Sequence, residues 1–266
     1  MTYEGYEGDQ AIAHQPGSAE WFAEIDRRFF RAAFTTHHPA GAAFGRYLSP
    51  SSPADADVLE IGCGMGTHTQ LLAEAGARLT AIDITPRAIE MTKRRCALHG
   101  LTVDVQQADA ESLPFAADSF DLVWTWGVLH HSSSFDHCLA EAGRVLRPGG
   151  RLFMMVYHRS SLIYYVHNVL IRGILCGQRL RRSFADIYDA HMDGAYARMF
   201  TKSEMAALLA KDYTSAQIRV TGQKAELLPV PASALKQRIE DRLPDAFATR
   251  VLSRWGFFLV IQAVRR

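Results

Sequence analysis

The feature that most constrains the fold is a short apolar run followed by a loop with glycine at every second position. Residues 58–61 read Val-Leu-Glu-Ile, which is typical of a strand covered on both faces of a sheet. Gly62, Gly64 and Gly66 follow, and these glycines allow a sharp turn and leave room for a ligand against the main chain. The pattern predicts a nucleotide-like ligand held at the carboxyl end of a parallel strand.

The spacing of these glycines differs from the dinucleotide-binding fingerprint. That fingerprint, G-x-G-x-x-G, requires a glycine at position 67, where the chain has Thr67. Glu60, two residues before the first glycine, is also unusual for it. The loop alone is compatible with a tight structural turn, so the interpretation depends on the motifs that follow.

Carboxylates end the next two predicted strands. The apolar run over residues 78–82 leads to Asp83, whose side chain can accept two hydrogen bonds from a ribose diol. A third run over residues 103–108 ends at Asp109, which is placed to accept an amino hydrogen from an adenine edge. The two acids therefore favour a nucleoside ligand over a structural turn.

Helix signals alternate with the predicted strands. Thr85 is placed to cap a helix that has Pro86 at its first position, and Ser134 is placed to cap another. Thr201 and Glu204 form a capping box before a later helix. This alternation predicts an α/β fold with a mainly parallel sheet and helices on both faces. The later strands are predicted at residues 120–127, 151–156, 216–220 and 256–264.

Five motifs taken in order resemble the class I S-adenosylmethionine-dependent methyltransferases. They are the glycine loop, Asp83, A-D-A-E-x-L-P-F at residues 108–115, F-D-L-V-W with G-V-L-H-H within 120–131, and R-V-L-R-P-G-G at 144–150. The likeness is densest over residues 55–156 and is strongest to the small-molecule branch that includes the quinone-biosynthesis methyltransferases. It implies a Rossmann-like sheet of seven strands in the order 3-2-1-4-5-7-6, with the last strand antiparallel.

The resemblance also implies the cofactor and its contacts. S-adenosyl-L-methionine would bind at the glycine loop, and S-adenosyl-L-homocysteine would leave as a product. Glu60 would serve the amino group of the methionine moiety, Asp83 would hold the ribose diol, and Ile84 would pack on the adenine. The other expected contacts are Gly62, Cys63, Gly64, Gly66, Asp109, Ala110 and Trp126.

The 266 residues are interpreted as one domain with three additions to its cofactor-binding core, residues 55–156. These are an N-terminal cap (1–50), a lid insertion (157–200) and a second insertion (222–254). Because the first two are rich in aromatic or apolar residues, we expect residues from the N-terminal 30 and from 157–200 to close together over the methyl group. The apolar run at 162–175 is too short and polar to span a membrane, but it is compatible with peripheral membrane contact. The second insertion is equally compatible with simple packing.

The reaction implied is methyl transfer to oxygen, nitrogen or activated carbon of a moderately apolar small molecule, of a secondary-metabolite or quinone type. Alignment of donor and acceptor supplies much of the catalysis, and a base is needed only for an acidic acceptor. His130 is the predicted base, because the residue at this position in relatives tends to face the acceptor, and His158 is the reserve. The neighbouring His131 is expected to order the loop.

Composition limits the partners. The net charge is +1 and no Lys/Arg tract appears, so no nucleic-acid partner is expected. The four cysteines form no CxxC pair, and the N-terminus has no apolar signal segment, which together predict a cytoplasmic protein with reduced thiols. The Cys and His residues lack metal-ligand spacing, so no metal is expected.

Two other functions stay compatible with the sequence. One is a non-catalytic protein that binds S-adenosylmethionine or S-adenosylhomocysteine. The other is a transferase that moves a different alkyl group from a modified sulfonium, which would need a cation in the loop where Thr67 and His68 stand. The acceptor, the attacked atom and the oligomeric state are not predicted.

Overall fold

The computed structural model describes residues 12–32, 53–189, 197–228 and 233–266. Helix α1 (Ala19–Ala32) precedes the alternating core. The core elements are β1 (Asp57–Ile61), α2 (Thr67–Glu74), β2 (Arg78–Asp83), α3 (Pro86–Leu98), β3 (Asp104–Gln107), β4 (Phe120–Trp126), α4 (Phe135–Val145) and β5 (Leu146–Tyr157). After them come a π-helix (Tyr164–Leu175), α5 (Phe184–Asp189), α6 (Lys202–Leu209), β6 (Tyr213–Thr221), α7 (Ala234–Arg242), α8 (Asp245–Trp255) and β7 (Phe258–Arg265).

The strands form one sheet in the order β3-β2-β1-β4-β5-β7-β6. Strands β1 to β5 pair in parallel, whereas β7 lies antiparallel to both β5 and β6. Both the strand order and the antiparallel last strand are as predicted. Successive strands are added in opposite directions from β1 and β4, so the gap between these two is the position where α/β sheets bind ligands.

Apolar side chains cover both faces of the sheet, which confirms the predicted layers. On one face, Leu139 of α4 and Met205 of α6 pack against strand residues such as Val123. On the other, Leu72 of α2 and Phe29 of α1 pack in a cluster with the strand aromatics. Strand side chains alternate between the faces, so each strand contributes to both clusters.

Three local predictions were wrong in detail. Thr85 occupies the N-cap position, but its hydroxyl makes no capping bond and donates to Asp83 instead. Ser134 likewise occupies the N-cap position of α4, but its side chain makes no capping hydrogen bond. The third strand ends at Gln107 rather than Asp109, because the Asp109 carboxylate accepts the backbone N–H of Glu111 and turns the chain.

The fifth strand also begins earlier than expected. It starts at Leu146, which pairs with Phe120, and the Pro148-Gly149-Gly150 turn lies inside it as an irregularity in the register. Gly149 has a φ of 77°, which allows this bend. The predicted capping box of Thr201 and Glu204 is present before α6.

The insertions follow the ends of strands. The lid insertion starts where β5 ends and contains the π-helix and α5. The second insertion contains α7 and α8, and Ala248 and Leu252 of α8 are buried. Of the helices described, none combines the length and apolar character needed to cross a bilayer.

Candidate active site

The glycine loop lies at the carboxyl edge of the sheet, against the loop that follows β4. Gly62, Gly64 and Gly66 have φ angles of 83°, 52° and 79°. A Cβ atom on Gly62 would lie 2.1 Å from a methyl group of Val128, so a side chain has no space at this position. The loops after β1 and β4 therefore touch, and groups carried by either face the same space at the switch point.

Asp83 is held by three hydrogen bonds at the end of β2. Its Oδ2 accepts the backbone N–H of Gly64 at 3.1 Å, and its Oδ1 accepts the backbone N–H and the hydroxyl of Thr85, both at 2.9 Å. A carboxylate has about four acceptor positions, so one remains for a ligand hydroxyl. The two predicted bonds to a diol would require the Thr85 hydroxyl to turn away or share its oxygen.

Glu60 is a buried carboxylate beneath the glycine loop. Its side chain accepts the Thr69 hydroxyl at 2.5 Å, and within the described residues it forms no ion pair. Burial raises the pKa of Glu60 to about 8, with a smaller contribution from the negative charge of Asp83. A cation at this position would remove the cost of burying the charge, so the site suits an ammonium group.

Arg95, which sequence reasoning missed, fixes the glycine loop from below. It is a buried side chain of α3 that donates to the Met65 carbonyl and the Thr67 hydroxyl, both at 3.3 Å. It also forms an ion pair with Asp26 of α1. The sequence did contain a signal for Arg95, because it continues the helical spacing of Ala88, Met91 and Thr92. These residues form the buried face of α3, whereas Lys93 and Arg94 are exposed.

Helix α1, part of the predicted N-terminal cap, packs directly on the loop. The Asp26 carboxylate accepts the Thr67 hydroxyl at 2.8 Å. Phe29 of the same helix lies 5.1 Å from the ring of His68 and 6.3 Å from that of Trp126, measured between ring centroids. Trp126, predicted to contact the cofactor, is thus buried at the end of β4 in an aromatic cluster. Tyr3, Tyr6 and Phe34 of the predicted cap lie outside the described residues.

The residues expected around an adenine lie beyond Asp83. Ile84 has 61% of its surface exposed, which is high for an isoleucine next to a buried strand. Asp109 is exposed and Ala110 half-buried, and Cys63 is buried below the loop, where burial raises the pKa of its thiol. The Glu111 carboxylate accepts bonds from Ser133 and the backbone of Ser134, and so ties this side to the loop after β4.

His130 and His131 stand on the short turn that follows β4. His130 is fully buried, and neither ring nitrogen has a hydrogen-bond partner within the described residues. Its ring lies 4.0 Å from that of Tyr157 and 4.2 Å from that of His131, which is exposed. Burial, and to a lesser degree the neighbouring His131, holds the pKa of His130 well below its usual range, so the imidazole is neutral.

His158, the reserve base, is engaged in the backbone at the end of β5. Its Nδ1 donates to the Gly256 carbonyl at 2.9 Å, and its backbone N–H donates to the Phe257 carbonyl at 2.7 Å. Burial lowers its pKa, although the Gly256 bond opposes this. His158 therefore joins β5 to the segment that enters β7, and only Nε2 is left for chemistry.

Comparisons with known proteins agree with this geometry. Residues 59–154 match the family described as "Methyltransferase domain". This segment is a methyltransferase domain, and its sheet has the class I fold. The match begins within β1 and ends within β5, so it contains the glycine loop, Asp83 and the histidine turn.

Two curated methyltransferases are similar over part of the chain. The ubiquinone biosynthesis O-methyltransferase of Methylocella silvestris is 31% identical over 58% of this chain and 58% of its own length. The demethylmenaquinone methyltransferase of Tropheryma whipplei is 33% identical over 46% of this chain and 51% of its own. The chain thus spans about half to three fifths of these relatives.

The YcgJ protein of Bacillus subtilis has a similar solved structure, with a TM-score of 0.55 at 21% identity over 86% of this chain and 99% of its own. This likeness shows the fold alone. In the methyltransferase domain, Glu60 and the glycine loop fit S-adenosylmethionine, which carries an ammonium group and a ribose. Among the described residues, no three His, Cys, Asp or Glu side chains gather to hold a metal ion.

Proposed function

We propose that the chain transfers the methyl group of S-adenosylmethionine to oxygen, nitrogen or activated carbon of a moderately apolar small molecule. The observation that carries the proposal is the contact of Gly62 with Val128. It puts the glycine loop beside the turn that carries His130, so a donor held on one loop lies next to an acceptor held on the other. Such alignment is the main requirement of the displacement.

The cofactor supplies an activated methyl group on a sulfonium, and the residues of this chain bind and orient it. Glu60 holds the ammonium of the methionine moiety, and Asp83 holds the ribose. Ile84 packs on the adenine, Asp109 accepts from its amino group, and Ala110 lines the same side. Gly62, Cys63, Gly64 and Gly66 leave space for the ligand, and Trp126 closes the site to water.

His130 is the residue we assign to the acceptor. Its neutral ring can accept a proton from a hydroxyl, amine or carbon acid, and its unbonded nitrogens offer the hydrogen bond that such an acceptor needs. His158 is the second candidate through Nε2. If the acceptor needs no base, His130 orients it instead.

The acceptor is proposed to be apolar or aromatic. The rings of Tyr157 and Phe257 lie 4.5 Å apart, and the ring of Tyr157 lies tilted at 4.0 Å from that of His130, so this side of the site is aromatic. Because two similar proteins are named for ubiquinone biosynthesis and for demethylmenaquinone, a quinone-type precursor is the first acceptor to test. The cap and the lid insertion are proposed to close over it. We place the reaction in the cytoplasm, since all four cysteines are free thiols.

The test is incubation with S-adenosylmethionine labelled in the methyl group and a panel of phenolic, quinol, amine and carbon-acid acceptors. We expect label in an apolar hydroxylated acceptor and S-adenosylhomocysteine in equal amount. Cofactor binding without any product would favour a non-catalytic binding protein. Label in protein or RNA alone would contradict the acceptor class.

A further inference from the structure

The lid insertion carries a set of exposed apolar side chains that the proposed reaction does not use. Ile174, Leu175 and Leu180 have 59%, 72% and 90% of their surfaces exposed, and Tyr165 and Leu170 are exposed beside them. We call these five residues the apolar insertion surface. Large apolar side chains exposed together mark interaction sites for proteins or membranes.

The π-helix explains why three of these side chains share one face. Its hydrogen bonds join residues five apart, so Tyr165, Leu170 and Leu175 point outward together. Asn168 and Gly173, also five apart, are buried on the opposite side. An α-helix repeats every 3.6 residues and would spread the same apolar residues around its axis.

The buried side of the π-helix fixes this orientation. The Asn168 amide donates to the Phe184 carbonyl of α5 at 2.7 Å. A Cβ atom on Gly173 would lie 2.5 Å from the ring of the same Phe184, so helix and ring are in close contact. The outward face is therefore held by packing below it.

The charged side chains of the segment that carries the apolar insertion surface are all basic. From Ser160 to Ala185 the sequence has no Asp or Glu and contains Arg172, Arg179, Arg181 and Arg182. The last three are exposed and flank Leu180. Asp186, the first acid beyond the segment, accepts the Ser183 backbone N–H. Leucines surrounded by arginines complement a layer of anionic headgroups above acyl chains.

We propose that the apolar insertion surface docks on an anionic phospholipid bilayer, with Leu175 and Leu180 entering the interface and Arg181 and Arg182 contacting headgroups. This lipid binding does not depend on the proposed reaction. The surface reaches the end of α8, since the ring centroids of Tyr165 and Trp255 lie 6.4 Å apart, and Phe257 of the proposed acceptor side follows two residues later. Uptake of an apolar acceptor from the bilayer is a consequence that rests on the proposed function.

The experiment is co-sedimentation of the full chain with vesicles of phosphatidylcholine, alone or mixed with phosphatidylglycerol. We expect binding to the mixed vesicles only. Binding should decrease from 0.1 M to 1 M salt, because the screening length falls from about 10 Å to about 3 Å.

Paired variants separate the two parts of the surface. Leu175→Ser with Leu180→Ser should weaken binding to the mixed vesicles at least about tenfold, because two leucines no longer enter the interface. Arg181→Glu with Arg182→Glu should weaken it about 20-fold or more, since each charge contributes about fivefold. The matched control, Lys93→Glu with Leu98→Ser on the exposed side of α3, should stay within about twofold. Circular dichroism melts establish that all three variants fold.

Three results would overturn the proposal. They are failure of the unchanged chain to bind mixed vesicles at low salt, equal loss of binding in the control pair, and binding that the surface variants leave intact. A dimer detected by light scattering and abolished by Leu175→Ser with Leu180→Ser would assign the surface to a second copy of the chain instead. Binding of S-adenosylmethionine without vesicles, measured by calorimetric titration, should be unchanged in these variants, so lipid docking is tested separately from the proposed function.

Discussion

The two sides of the active site differ in how far their polar groups are already bonded. On the cofactor side, the Asp83 carboxylate and the Arg95 guanidinium each make at least three bonds to the chain. On the acceptor side, His130 is buried with both ring nitrogens unbonded within the described residues. A buried polar group without a partner costs about 1–3 kcal/mol. The comparison teaches that the polar groups of the proposed cofactor side are already bonded within the protein, whereas His130 on the proposed acceptor side keeps its hydrogen-bonding capacity for the ligand that we propose there.

The largest expected effect is a loss of turnover when His130, whose ring nitrogens are unbonded, is replaced. His130→Ala should lower turnover about 10²–10⁴-fold if the ring acts as the base, while cofactor affinity stays nearly constant. Because burial holds the pKa of His130 well below 6.5, the ring stays neutral and competent as the pH falls from 8 to 6.5. Turnover should therefore show no His130-dependent loss over that range in a pH series.

His158→Ala is the comparison variant for this experiment. It removes a hydrogen bond to the Gly256 carbonyl and should lower the melting temperature, while it should lower turnover less than His130→Ala does. A loss of less than tenfold in His130→Ala would indicate that proximity alone carries the reaction. Equal losses of cofactor binding and turnover would assign His130 to structure.

The second prediction concerns Asp83, whose carboxylate is already hydrogen-bonded within the protein, and the affinity for the cofactor. Asp83→Ala should weaken S-adenosylmethionine binding by about 2–4 kcal/mol, because it removes charged hydrogen bonds to the ribose and frees the Gly64 and Thr85 amides. Calorimetric titration measures the change. Asp104→Ala, an exposed acid at the start of β3, is the control and should bind normally. Unchanged affinity in Asp83→Ala would refute this site.

The third prediction asks how firmly α1 supports the glycine loop. Asp26→Ala leaves the buried Arg95 without its ion-pair partner and should reduce the free energy of unfolding by about 2–3 kcal/mol, below the usual cost because Asp26 is partly exposed. Urea denaturation measures this. Glu24→Ala on the same helix removes surface pairs to Arg27 and Arg28 and should cost at most about 1 kcal/mol. Equal effects in both variants would show that α1 contributes only packing.

The smallest expected effect is the release of a proton from Glu60 when the cofactor binds. Since the pKa of Glu60 is raised to about 8, the group is mostly protonated at pH 7 and must ionise to hold an ammonium. Cofactor binding should then release close to one proton at pH 7, and affinity should fall by at most about tenfold per unit as the pH is lowered below 8. Titration calorimetry in buffers of different ionisation enthalpy measures the release. Glu60→Gln should abolish it, and proton release that persists there would exclude Glu60 as its source.

The strand order followed from the resemblance to a known family, whereas the glycine loop and its acid could be predicted from the residues because their signals are local. Glycine spacing and the acid at Asp83 each belong to one strand and its loop. The partnership of Arg95 with Asp26 is different, because it depends on where α1 lies, and no local pattern gives that. The π-helix was anticipated only as an apolar run, since the same residues are compatible with more than one helical hydrogen-bond register. The burial of His130 depends on Tyr157 from another strand, which a single sequence pattern does not contain.

The ion pair between Arg95 and Asp26 also affects how the protein is made. Its partners are separated by 69 residues along the chain. At about 5–20 residues per second, Asp26 leaves the ribosome roughly 3–14 seconds before Arg95 does. In the first part of that interval, Trp21, Phe22 and Ile25 have neither Met65 nor Met91 to pack against. The nascent chain therefore presents an unpaired amphipathic helix to chaperones, and synthesis of α3 ends that exposure.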